Sequence, residues 1–211
     1  MRVSITGLCL LLGLLFACKP TPLDRYRQVA AEGERRGYAS VTDALAGEAP
    51  IREWTAGDPL ELRLTVTDPI LKLQDSAVEY YANFQLLALP PSARGLRVRA
   101  LCDCLGARKQ LVLPRLLWAD PAGGVRYLEP TGQEIREPDM ALPIHLYQEY
   151  EWPISGAPGL LLLHADNRPL GEVFVRSTNP TVVYLDPGYL DIEVPYEVKV
   201  SPVGRVRVEV W

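Results

Sequence analysis

Histidine is nearly missing from this chain. Its 211 residues hold two, His145 and His164, both in or beside predicted strands where a structural role explains them. No HExxH pair for a metal, no Walker motif and no GxSxG nucleophile elbow occur. "ISGAPG" (154–159) lacks the strand–turn–helix setting of such an elbow, and "DPAGG" (120–124) joins strands and offers no helix N-terminus to a phosphate. Basic residues are outnumbered, 22 against 26 acidic, and form no stripe, which excludes a nucleic-acid partner. Long apolar runs are missing too. Residues 3–16 are the longest, broken by Ser4, Thr6, Gly7 and Gly13, and fall short of the roughly 20 residues that span a bilayer. No fixed-period repeat and no low-complexity tract is present. With no catalytic constellation, the chain reads as a non-enzyme without a metal or a bound organic cofactor.

What is present begins with an address. Arg2 followed by a short apolar segment has the form of a secretion signal over residues 1–17. Leu15, Phe16, Ala17 and Cys18 resemble the lipobox of bacterial lipoproteins, in which cleavage precedes a cysteine whose thiol carries diacylglycerol. An ordinary signal peptide with an incidental cysteine, or a short membrane anchor, are the competing readings. Under the lipoprotein reading the mature chain keeps 194 residues with a net charge of −5. Lys19, where an aspartate would signal retention at the inner membrane, implies transfer to the outer membrane, facing the periplasm. A soluble periplasmic protein is the alternative location.

Residues 18–50 read as a lipidated tether with a short helix. Leu23–Arg36 follows helical spacing behind Asp24 as cap, and its charges suggest a solvated helix. Gly33 puts the last turn in question, and Gly37 ends the helix if Gly33 does not. "SVTDAL" (40–45) has a capping-box look at Ser40 and Asp43. Residues 51–211 read as a domain of nine or ten short strands. "LELRLTV" (60–66) alternates apolar and polar residues with the period of two expected of a half-buried strand. Comparable stretches lie at 77–89, 96–102, 109–120 (broken at Pro114), 144–152 and 159–165. The chain closes with "VFVRS", "TVVYL", "VPYEVKV" and "GRVRVEVW", the last two joined by a tight turn at Ser201–Gly204. This pattern predicts a mainly β protein, a two-layer antiparallel sandwich or jelly roll with a short N-terminal helical segment.

Two cysteines remain after Cys9 leaves with the signal and Cys18 takes lipid. Cys102 and Cys104 in "ALCDCLG" lie two apart on a predicted strand, about 7 Å from each other, farther than a disulfide allows unless the chain kinks at Asp103. Gly106 permits such a kink and the periplasm is oxidising. Two buried or partly buried structural thiols, a disulfide, and a metal or catalytic redox site are three readings that spacing alone leaves open. Aromatic residues gather in "LYQEYEW" at Tyr147, Tyr150 and Trp152, with Tyr184, Tyr189 and Tyr196 later. Such rings either stack on sugar faces or contact a partner, or they fill the sandwich.

Tyr81, Phe84, Leu89 and Pro90 are followed by Leu116, Leu117 and Asp120, and the chain ends in a Pro202–x–Gly204 hairpin. In this order the segments over residues 40–211 resemble the MalM family, periplasmic proteins of maltose operons. The resemblance implies a β-sandwich, an envelope location and a link to maltodextrin uptake or an outer-membrane porin, and it carries no catalytic residues. The CxC pair is not a feature of that family. The combined expectation is a lipid-anchored periplasmic accessory protein that binds an envelope protein or a glycan. A carbohydrate-binding module and a structural lipoprotein subunit of an envelope secretion machine are the alternatives.

Overall fold

The computed structural model describes residues 20–47, 49–54, 58–75, 78–104, 109–120, 124–138, 143–151, 159–185 and 188–211. Cys18, the residues expected to form a signal, Gly106 and Trp152 lie outside them. The protein is mainly β, with antiparallel sheets packed as a sandwich and two helices in the N-terminal region. Fourteen strands are described where the sequence patterns suggest nine or ten. The additional ones are short or carry little alternation: β1 (Ile51–Glu53), β3 (Ile70–Asp75), β8 (Val125–Leu128) and β9 (Gly132–Arg136). In β9 four of five residues are exposed, so no apolar face marks it.

Sheet one has the order β1–β4–β11–β7–β8, with β3 also on β4; it contains β4 (Val78–Ala88), β7 (Pro114–Ala119) and β11 (Leu160–Ala165). Pro114 is tolerated because it opens β7, at the end of the ladder. Sheet two has the order β2–β14–β5–β10–β9, with β2 (Leu60–Leu64), β5 (Gly95–Leu101), β10 (His145–Glu151) and β14 (Gly204–Val210). The main core lies between them. Leu62, Leu64, Val98, Leu146, Val206 and Val208 from sheet two meet Leu87, Leu116, Trp118, Leu161 and Leu163 from sheet one. Sheet one is buried on its other face as well, where Phe84, Leu86, Leu117 and Leu162 form a second cluster. This explains why "LLLL" in β11 shows no alternation: a strand covered on both faces is apolar throughout.

The cover of that second face comes from residues expected to form a tether. Helix α1 (Pro22–Arg36) starts at Thr21, whose side chain and that of Asp24 form a reciprocal capping box. It docks on β3 and β4 rather than standing in solvent: Val29 is fully buried, and the Tyr81 N–H donates to the Tyr26 hydroxyl. Gly33 does not end the helix. A side chain there would collide with the Tyr81 ring, so glycine is what permits the approach. The chain then pairs Tyr38 beside Leu71 and enters α2 (Val41–Ala46), capped by Ser40. Ala44 inserts into the second cluster and Tyr38 meets Phe84 edge-on, with ring centres 5.8 Å apart. From Pro22 onward the segment is therefore part of the folded body.

Two buried amides on β4 occupy backbone acceptors on the free side of β2 and just beyond it. The Gln85 side chain donates to the Arg63 carbonyl at 3.2 Å, and the Asn83 amide donates to the Thr65 carbonyl. They occupy acceptors that would otherwise invite another strand. The third sheet pairs β12 (Val173–Leu185) with β13 (Gly188–Val200), and β13 with β6 (Lys109–Leu111). "VFVRS" and "TVVYL" are one continuous strand. Pro180 fits because β12 is an edge, and Pro195 fits because β6 reaches only Val198–Val200 of β13. The turn at Ser201–Gly204 does not make a hairpin: β13 pairs with β12 and β6, while β14 pairs with β2 and β5. The turn carries the chain from one sheet to another.

Candidate functional site

The outer face of sheet two carries a continuous set of polar and aromatic side chains. Register places them in rows. Arg63 lies opposite Arg205; Glu61, Arg207, Arg99, Tyr147 and Glu134 follow one another across the five strands; Glu209, Arg97 and Glu149 form the next row. Alternation built this face, since the intervening residues Leu62, Val98, Leu146 and Val206 fill the core. Arg97 sits between two rings, 5.4 Å from the centre of Tyr147 and 5.2 Å from that of Trp211. It also reaches Glu149 at 3.7 Å and Glu209 at 3.9 Å. Arg99 pairs with Glu209 at 3.3 Å. Trp211 is anchored through its backbone to Arg94 and Gly95, and its ring lies over Gly95, where any side chain would strike it. Trp211 as a whole remains 46% exposed.

Of the three aromatic candidates Trp152 lies outside the described residues, and the other two separate. Tyr147 is on the outer face, donates to Glu149, and has the guanidinium groups of Arg97, Arg99 and Arg136 within 5.9 Å of its ring centre. Burial and the hydrogen bond to Glu149 hold its hydroxyl pKa above the ordinary value. Tyr150 is 2% exposed and belongs to the main core, its hydroxyl donating to Gln148. It is withdrawn as a surface contact: three positions along a strand is an odd step, so Tyr147 and Tyr150 point to opposite faces. Tyr196 packs against the main core with the Lys109 ammonium 3.4 Å from its ring centre. Arg97, Arg99, Arg136 and Trp211 were not singled out by sequence. The signal was the alternation "LRVRAL" against "GRVRVEVW", two strands whose polar positions share one face once paired.

Cys102 and Cys104 form a disulfide. Strand β5 stops at Leu101, the Cys102 N–H turns to the Ile144 carbonyl, and Asp103 exchanges backbone hydrogen bonds with Gln110. This bend brings the two Cα atoms to 5.2 Å, inside the range a disulfide needs. The loop it closes is very short, so it removes little freedom from the unfolded chain. Reduction is expected to lower stability by only about 1–2 kcal/mol. Urea unfolding with and without reductant measures this, and a loss several times larger would show that the bond holds more than its own turn.

A second polar group lies at the end of β11. His164 is fully buried opposite Phe84 and Arg115. Its Nδ1 donates to the Ala165 carbonyl at 3.0 Å, and Nε2 has no hydrogen-bond partner in the described residues. Burial lowers its pKa to about 4. Asp166 takes two bonds from the Arg168 guanidinium, at 2.6 and 2.8 Å; burial pushes its pKa up, but these bonds and the Arg168 N–H hold it below the usual value. Burial raises the Tyr80 hydroxyl strongly. Tyr80, His164 and Asp166 are buried beneath Arg168, which suits a structural role. A small cavity of about 40 Å³ lies elsewhere, lined by Pro50, Arg52, Asp68, Pro69 and Phe84 among others. Among the described residues no group of three or more His, Cys, Asp or Glu is placed to hold a metal, and no helix is long and apolar enough to cross a membrane.

No protein family, no curated protein and no solved structure matches the chain.

Proposed function

We propose that this protein is a lipid-anchored accessory protein of the bacterial envelope, held at the periplasmic side of the outer membrane through Cys18, and that it binds an envelope protein without catalysing a reaction. The observation that carries this reading is the outer face of sheet two. Arg97, Arg99, Arg136, Tyr147 and Trp211 are residue types enriched where proteins meet, set on a rigid sheet and left without a covering element in the described residues. The lipobox-like Leu15–Cys18 supplies the location, and the likeness to MalM supplies the link to maltodextrin uptake. The predicted outcome is acylated, membrane-associated mature protein. Metabolic labelling with palmitate and mass spectrometry of the N-terminal peptide check it: Cys18→Ala abolishes the label, whereas an unlabelled parent protein free in the periplasm defeats the anchor.

Glycan binding is the second reading, favoured by the half-exposed Trp211 beside Tyr147. It is the weaker one, because Tyr150 is in the core and the Tyr147 ring is engaged by three guanidinium groups. Calorimetry against maltodextrins and cell-wall glycans decides it. No heat and no change in tryptophan fluorescence removes it.

A further inference from the structure

Arginines oppose one another twice on the outer face of sheet two. Arg63 on β2 lies directly across from Arg205 on β14, and Arg207 on β14 lies directly across from Arg99 on β5. Like charges facing each other across a strand pair repel. Arg99 and Arg207 are relieved by Glu209, 3.3 Å from each. Arg63 and Arg205 are both exposed and have no ion pair in the described residues. Glu61, across from Arg207, is the other carboxylate nearby. A protein of net charge −4 thus keeps a positive corner of four arginines against two glutamates, at a cost to its own sheet.

We infer that this corner is where a protein partner places an extended acidic segment, its carboxylates received by Arg63, Arg205 and Arg207. The inference deepens the partner-binding reading above and rests on it. Spacing supports it. Arg205 and Arg207 are two residues apart on β14, about 6.8 Å, and an extended segment with acidic residues at alternate positions repeats at the same interval. Guanidinium forks receive carboxylates in bidentate pairs. Glu61, Glu134, Glu149 and Glu209 distribute negative charge over the same face, which disfavours a uniform polyanion and suits a partner carrying both signs. Gln85 and Asn83 already occupy the Arg63 and Thr65 carbonyls along the free side of β2, which favours recognition through side chains over strand addition.

The test uses the full-length mature chain with Cys18→Ser, so that anchoring and recognition fail separately. The probe is a labelled peptide of alternating glutamate and serine, read by fluorescence anisotropy, beside inorganic polyphosphate and phosphatidylglycerol vesicles. The peptide is expected to bind, more weakly as salt rises, and at least about tenfold more weakly to Arg63→Ser and Arg205→Ser. Arg126→Ser, on exposed β8 of the other sheet, is expected to bind like the parent. Both arginine variants are expected to keep or raise the thermal midpoint, since each removes a like-charge pair. A lowered midpoint overturns the premise of repulsion. Absent peptide binding, unchanged binding by both variants, or tighter binding to polyphosphate or vesicles overturns the assignment.

Discussion

Acidification from pH 6.5 to about 4 is expected to remove about 3 kcal/mol of folding stability, and His164→Leu is expected to abolish most of that dependence. The native imidazole titrates near pH 4 while the unfolded one titrates at its ordinary 6.5. Between these values the unfolded chain binds a proton that the native chain refuses. Stability is therefore complete above pH 6.5, falls as pH falls, and stops falling from this source below about 4. Each pH unit of separation is worth about 1.36 kcal/mol, which sets the magnitude. Burial is the main cause. The Nδ1 proton already serves the Ala165 carbonyl, so protonating Nε2 would bury a charged donor without an acceptor, near Arg115 and Arg168 and with only Asp166 to oppose them. Asp166 acts in a different window. Its pKa is depressed below 3.8, so its contribution is present above that value and is lost only at lower pH. Urea denaturation at several pH values between 7 and 4 separates the two. An unchanged pH slope in the leucine variant would place the titration elsewhere.

Phe84→Ala is expected to cost about 3–5 kcal/mol, the usual range for emptying a buried phenylalanine site. Phe84 is fully buried on the face of sheet one away from sheet two, beneath Tyr38 and among Leu71, Ala82 and Leu86. Tyr38, Val41, Ala44 and Ala49 complete that burial by lying over the sheet. Were this segment a free tether to the membrane, Phe84 would face water and its loss would cost well under 1 kcal/mol, as surface changes do. Chemical denaturation of the variant distinguishes these outcomes. Tyr38→Ala combined with Phe84→Ala should cost less than the two separate losses together, because the rings share one contact.

The departures from the sequence reading share a cause. Local patterns place a residue on a face of its own element, and they did so for "LELRLTV", for the strand containing His145–Glu151 and for the turn at 166–171. They say nothing about which elements meet. The charges of α1 pointed to a solvated helix, yet Gly33 and Val29 give it a bare side that fits Tyr81, a contact across residues far apart in the chain. The aromatic cluster looked like a unit in sequence, although the odd step from Tyr147 to Tyr150 was enough to split it. The strand expected to run through Cys102 ends one residue earlier, because Ile144 and Gln110 take over its backbone hydrogen bonds.

By itself the sequence determined the class of fold, the inward residues of the sandwich and the positions of most turns. Periodicity of two and turn chemistry are properties of neighbouring residues, and they survive any choice of partner strand. Tertiary structure decided the rest: that Arg63 faces Arg205, that Trp211 and Tyr147 share Arg97, that the two helices cover sheet one, and that the turn after β13 crosses between sheets. Register between distant strands is set by how two apolar faces fill one core, and no local pattern contains that information.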